Sequence, residues 1–120
     1  MKLKDDQNLT RYVSKILLSM GFRISLKGFE QLKEIIIHLC EDPTQRLSKL
    51  YKIMAKTQRV TLFAIERNIR VLIKDNEKIN LKIKEVLNHD ISEFVSNKDV
   101  IVMLVYYISN SYDAGFNEKM

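Results

Sequence analysis

Apolar residues in this chain recur at steps of three and four, and very little interrupts the pattern. Leu9, Tyr12, Val13, Ile16, Leu17 and Met20 form one such stripe, and Phe29, Leu32, Ile35, Ile36, Leu39 and Cys40 form another. Each set falls on one face of a 3.6-residue helix, whereas the two-residue alternation of a half-buried strand is nearly absent. With 3 glycines and 1 proline in 120 residues, the reading is all-α. The length suits a single domain, residues 1–120, able to bury a core without staples.

The first helix is expected over about 9–20, capped by Asn8 and ended at Gly21 in a left-handed conformation. "FRISLK" follows as a short link whose Ile24 and Leu26 pack down. A second helix starts at Gly28 or Phe29 and stops near Glu41, because the residue before Pro43 disfavours the α region. Asp42 and Pro43 then read as the N-cap and first position of a third helix, which buries Leu47, Leu50, Tyr51 and Met54 and ends near Thr57. "QRV" is a tight turn plugged by Val60, and Thr61 caps a helix over 62–75. A short helix over about 81–88 and a hydrophobic one over about 98–111, capped by Asn97, complete roughly six helices. The ordered core is expected over about 8–112, with the final "DAGFNEKM" frayed.

Several function classes drop out. No apolar run approaches the roughly 20 residues that cross a bilayer, and "MKLKDDQNLT" lacks the apolar stretch of a signal peptide. Cys40 is the only cysteine, so no internal disulfide forms and a reducing, cytoplasmic location fits. His38 and Cys40 lie two apart on a helix and diverge, so they do not chelate a metal together. His89–Asp90 has no nucleophile at a recognisable spacing, and there is no Gly-rich phosphate loop. The chain is therefore read as a non-enzyme with no catalytic residue, metal, cofactor, small-molecule substrate or membrane partner.

Charge points elsewhere. The net charge is +5, yet residues 46–74 carry eight bases (Arg46, Lys49, Lys52, Lys56, Arg59, Arg67, Arg70 and Lys74) against Glu66 alone. That segment is +7 and the remainder −2, which suggests a polyanionic partner, most simply double-stranded DNA. Within it, "RVTLFAIERNIRVLIK" sets Phe63, Arg67, Arg70 and Lys74 on one helical face and Ile65, Ile69, Leu72 and Ile73 roughly opposite. A short amphipathic helix, a tight turn and this second helix make a helix-turn-helix, with Ala55 at the close crossing. Its groove-facing residues would be Phe63, Glu66, Arg67 and Arg70. Arginine binds guanine O6 and N7 bidentately, glutamate accepts from cytosine N4, and an aromatic edge meets a thymine methyl. Lys49, Lys52, Lys56, Arg59, Thr61 and Lys74 would hold phosphates, which fix register without specifying sequence.

"LKGFEQLKEII" from Leu26 and "LYKIMAKTQRVTLFAIERNIR" from Leu50 carry a resemblance. Together they are similar to the DNA-binding effector domain of stage-zero sporulation regulator A of endospore-forming bacteria, and "SNKDVIVML" from Ser96 resembles its last helix. The resemblance implies about six helices around a central helix-turn-helix. It also implies a transcription regulator of short promoter sites, often bound as a head-to-tail pair. By the same resemblance Glu66, Arg67 and Arg70 match positions that read bases or phosphates, and Thr61 matches the turn before the recognition helix. The chain departs at Ala64, where a base is usual, at Phe63, where a small residue is usual, and at Lys52, where proline is usual. Those departures bear on which site is read. The first helix begins almost at once, so no receiver domain, and no phosphorylation control in cis, is expected. The Tyr106, Tyr107 and Tyr112 cluster either helps a homodimer form on DNA or finishes the core. The alternative function is a protein-interaction module that kept the fold and modulates another regulator through Phe63 and the Tyr106–Tyr107 surface.

Overall fold

Every regular element among the described residues of the computed structural model, 7–87 and 96–118, is an α-helix. They are α1 (Gln7–Ser19), α2 (Gly28–Glu41), α3 (Leu47–Gln58), α4 (Leu62–Asp75), α5 (Glu77–Leu87) and α6 (Asn97–Glu118). The all-α expectation holds, and the apolar stripes predicted from spacing are the ones that meet. Val13, Leu17, Leu32, Ile35, Ile36, Ile65, Ile69, Leu72, Ile101, Leu104 and Ile108 form the fully buried centre. Each such side chain contributes about 1.5–3 kcal/mol by leaving water. α2 runs through the middle and packs against α1, α4 and α6.

Two glycines make this packing possible. Gly21 ends α1 at φ 97°, in the left-handed region as expected. Gly28 is needed for a different reason, since a Cβ there would lie 2.3 Å from the carbonyl oxygen of Asn68 and 2.8 Å from its carbon. The first turn of α2 therefore rests directly on the backbone of α4.

Several local expectations are corrected. Asn8 lies inside α1, which starts by Gln7, and caps nothing. Ile24 is 61% exposed, and Phe22 takes the buried place instead. Asp42–Pro43 does not open α3. The Asp42 carboxylate accepts from the Thr44 N–H and hydroxyl, and its carbonyl accepts from the Gln45 N–H, so 42–45 form an Asx-type turn and α3 starts at Leu47. Val60 is exposed and plugs nothing. The turn closes through backbone, with Arg59 left-handed at φ 57° and the Val60 N–H bonded to the Ala55 carbonyl at 3.0 Å.

The later helices differ more. α5 starts at Glu77, before the expected 81, because Asn76 caps it: its Oδ1 accepts from the Ile79 N–H at 3.0 Å. The same buried Asn76 donates from Nδ2 to the Met20 carbonyl at 3.1 Å, tying the end of α1 to the α4–α5 junction. Leu81 is exposed and Ile79 is the buried residue. Asn88, the expected end of that helix, and the His89–Asp90 pair lie outside the described residues. α6 is capped by Ser96, not Asn97, since Ser96 Oγ accepts from the Asp99 N–H at 3.1 Å. It also runs on to Glu118 instead of fraying after Ser111. The Tyr12 hydroxyl donates to Ser111 Oγ at 2.7 Å and the Tyr12 and Tyr112 rings lie 5.2 Å apart, which ties Ser111 and Tyr112 to α1. No helix of the described residues is long and apolar enough to cross a membrane.

Candidate nucleic-acid interface

α3, the Arg59 turn and α4 form a helix-turn-helix whose second helix packs against α2, α3, α5 and α6. Thr61 sits in the extended region and its hydroxyl accepts from the Ala64 N–H at 3.0 Å, which starts α4 where the sequence predicts. Ile65, Ile69 and Leu72 are fully buried and turn the opposite face outward. On that face Phe63 is 79% exposed, Arg67 and Lys74 are exposed, and Glu66 and Arg70 are half-buried. A phenylalanine this exposed leaves apolar surface in water that no described residue covers.

Phe63, Glu66, Arg67 and Arg70 line one depression of about 550 Å³. Its other walls are Leu47 and Tyr51 of α3 and Ser96, Asn97 and Lys98 at the start of α6. The phosphate-holding candidates are placed differently. Lys49, Lys52 and Lys56 form an outward row on α3, opposite buried Leu50, Tyr51 and Met54, and all three are exposed. Arg59 and Thr61 are exposed in the turn. Lys74 stands eleven residues beyond Phe63, roughly 16 Å along the axis at 1.5 Å per residue, and does not line the depression. The site is thus a compact aromatic–basic row on α4, a separate lysine row on α3, and one distant lysine.

The start of α6 is not legible from the sequence as part of this region. Asn97 Nδ2 donates to the Glu66 carbonyl at 2.9 Å, a contact 31 positions apart in the chain that no helical period signals. Lys98 adds a cation to the same wall. Tyr51 is buried beside them with its hydroxyl lacking a hydrogen bond of good geometry. Burial, and then the Glu66 charge, push its phenol up to about 12, while the nearby Asn97 side chain pulls the other way. Behind the turn, Gln31 of α2 donates from Nε2 to Gln58 Oε1 at 3.0 Å and so fixes the end of α3. Cys40 is half-buried and its sulfur accepts from the Ser109 hydroxyl at 3.3 Å, with burial pushing the thiol up.

The family model described as Sporulation initiation factor Spo0A C terminal matches residues 13–108. The chain belongs to this family. The match runs from α1 into α6 and spans the helix-turn-helix and the depression in front of it. The family is one of DNA-binding regulatory domains, not of enzymes, so a DNA partner and a role in transcription regulation and sporulation follow for the chain at that level. The motif "LKGFEQLKEII" has a physical reason within it: its glycine is the one that seats α2 on α4. No curated protein and no solved structure matches the chain.

Proposed function

We propose that this chain is a sequence-specific transcription regulator that lays α4 in the major groove of DNA. The observation that carries the reading is the α4 surface: a 79%-exposed Phe63 in one row with Arg67 and Arg70, within a DNA-binding family. Arg67 and Arg70 offer bidentate donors to guanine, Glu66 an acceptor for cytosine N4, and Phe63 an apolar edge for a thymine methyl. Lys49, Lys52, Lys56, Arg59, Thr61 and Lys74 hold phosphates on either side. The 120 residues act as one domain in the cytoplasm. Two copies pair on DNA through Tyr106, which is 73% exposed, and Tyr107, whereas Tyr112 packs on Tyr12 and finishes the core.

Selection of bound fragments from genomic DNA, followed by affinity measured across a salt series, tests the reading. A preferred duplex should emerge, and four to six phosphate contacts give a log–log slope of roughly −4 to −5. Salt-independent binding, or fragments bound without preference, contradicts it. The other reading, an interaction module that modulates another regulator, draws on the same exposed Phe63. Phe63→Ala separates the two, because it should weaken one class of site on DNA in the first case and abolish a protein complex in the second.

A further inference from the structure

We infer that Asn97 is a positioning residue for base reading: its side-chain amide locks the rotation of α4, and so the aim of Arg67 and Arg70. The inference rests on the base-reading function proposed above. Ser96 supplies the cap of α6, which frees the Asn97 side chain to leave its own helix. That amide reaches the Glu66 carbonyl at 2.9 Å, in the middle of α4. Glu66 lies inside the continuous helix α4, and a helical carbonyl has two lone pairs, so the Asn97 contact can add to the intrahelical bond without replacing it. α6 is a firm anchor for it, since Val100, Ile101, Leu104 and Ile108 one to three turns later are all in the core.

The opposite flank of α4 is gripped as well. Residues 66 and 68 lie about 200° apart around a helix. Gly28 meets the backbone at Asn68, with no room for even a Cβ. The two contacts hold α4 from both sides, and Arg67 lies between them on the outward arc. Rotation matters at this distance. An arginine tip roughly 8 Å from the helix axis moves by about 1.4 Å for each 10° of roll, while a binding constellation tolerates about 0.5 Å. The apolar contacts of Ile65, Ile69 and Leu72 behind α4 are non-directional and hold its depth better than its roll. A hydrogen bond to the helix backbone is directional and supplies what they lack. Buried Tyr51 of α3 lines the same depression as Asn97 and Glu66, so the first helix of the motif, α4 and α6 all border the place where this amide sits.

The test uses the full chain with two substitutions, Asn97→Ala and Asn97→Asp. Alanine removes the donor. Aspartate keeps the shape and suits the first turn of a helix, yet has no proton to donate. The readout is the ratio of affinities for the selected duplex and a shuffled duplex of equal length. It cancels the uniform weakening that a new negative charge brings. Both variants should lose about tenfold in that ratio, comparable to one misplaced bidentate contact. Asn97→Ala should bind the shuffled duplex as the parent does and melt within roughly 5 °C of it, since one half-exposed neutral hydrogen bond adds little stability. Unchanged ratios in both variants, with Arg67→Ala still lowering the ratio, overturn the inference while leaving the proposed function standing. So does an equal loss on both duplexes in Asn97→Ala, or loss of cooperative melting in both variants, which makes Asn97 a folding residue. A parent chain with no preference between the duplexes overturns the proposed function and this inference together.

Discussion

Gly28→Ala tests whether α4 is seated by direct backbone contact with α2. On an open helix the change would be mildly stabilising, by about 0.4–1 kcal/mol, because alanine restricts the unfolded chain. Here the added Cβ arrives 2.3 Å from the Asn68 carbonyl oxygen, 2.8 Å from the carbonyl carbon and 3.2 Å from the Ile69 Cα. These are backbone atoms in the middle of α4 and cannot swing aside as a side chain does. An ordinary carbon–oxygen contact needs about 1 Å more, so α2 and α4 must separate along most of their crossing, loosening Phe29, Leu32, Ile65 and Ile69. Overpacking of this kind typically costs about 1–3 kcal/mol, and a clash with backbone belongs near the upper end. Urea unfolding should therefore show a loss of about 2–3 kcal/mol and thermal melting a drop of roughly 8–12 °C, with far-ultraviolet helicity retained. A variant as stable as the parent, or more so, would refute direct seating.

The Tyr51 hydroxyl is buried with no well-formed hydrogen bond, so Tyr51→Phe should be neutral or slightly stabilising at pH 7 by denaturant unfolding. Alkaline stability should distinguish the two proteins: above pH 10 the unfolded phenol releases its proton while the folded one, raised to about 12, keeps it. The unfolded state then binds fewer protons, so the parent should lose about 1 kcal/mol by pH 11 relative to Tyr51→Phe, a difference absent below pH 9. Arg59 holds a left-handed φ of 57° without being glycine, a conformation costing about 1 kcal/mol. Arg59→Gly should therefore raise stability by a few tenths to 1 kcal/mol in chemical denaturation while lowering the salt slope of DNA binding by about one; a destabilised variant would contradict strain at the turn.

Helical periods carry most of the fold in readable form. The stripes Leu9–Met20 and Phe29–Cys40, and the Ile65–Ile73 face of α4, need only local spacing, and Thr61 and Gly21 mark real ends. Sequence and structure part where one side chain could serve two roles. Asp42–Pro43 reads as a helix start, but the carboxylate closes an Asx turn instead, because Thr44 supplies both a hydroxyl and an N–H to it. Ser96 and Asn97 are both good caps; the helix uses the first and releases the second to reach α4. Asn76 before Glu77 is a readable cap, masked by Leu81, which draws the expected helix start four residues on. Ser111 and Tyr112 of α6 are held by Tyr12, some hundred residues away, a contact that no local pattern encodes. The outward row of α4 is legible from its period. The α6 wall facing it is not, because contacts across the chain leave no mark on local spacing.

If α4 reads bases while α3 and the turn hold phosphates, the two helices should respond differently to the loss of a cation. Arg67, exposed on the outward face of α4, and Lys56, exposed on α3, separate the two roles. The deciding measurement is the affinity of Arg67→Ala and Lys56→Ala for the selected duplex and for a shuffled one. Arg67→Ala should cost about 1–3 kcal/mol on the selected duplex and little on the shuffled one, whereas Lys56→Ala should weaken both by a similar factor. Equal losses on both duplexes for Arg67→Ala would mean that α4 holds DNA without reading it.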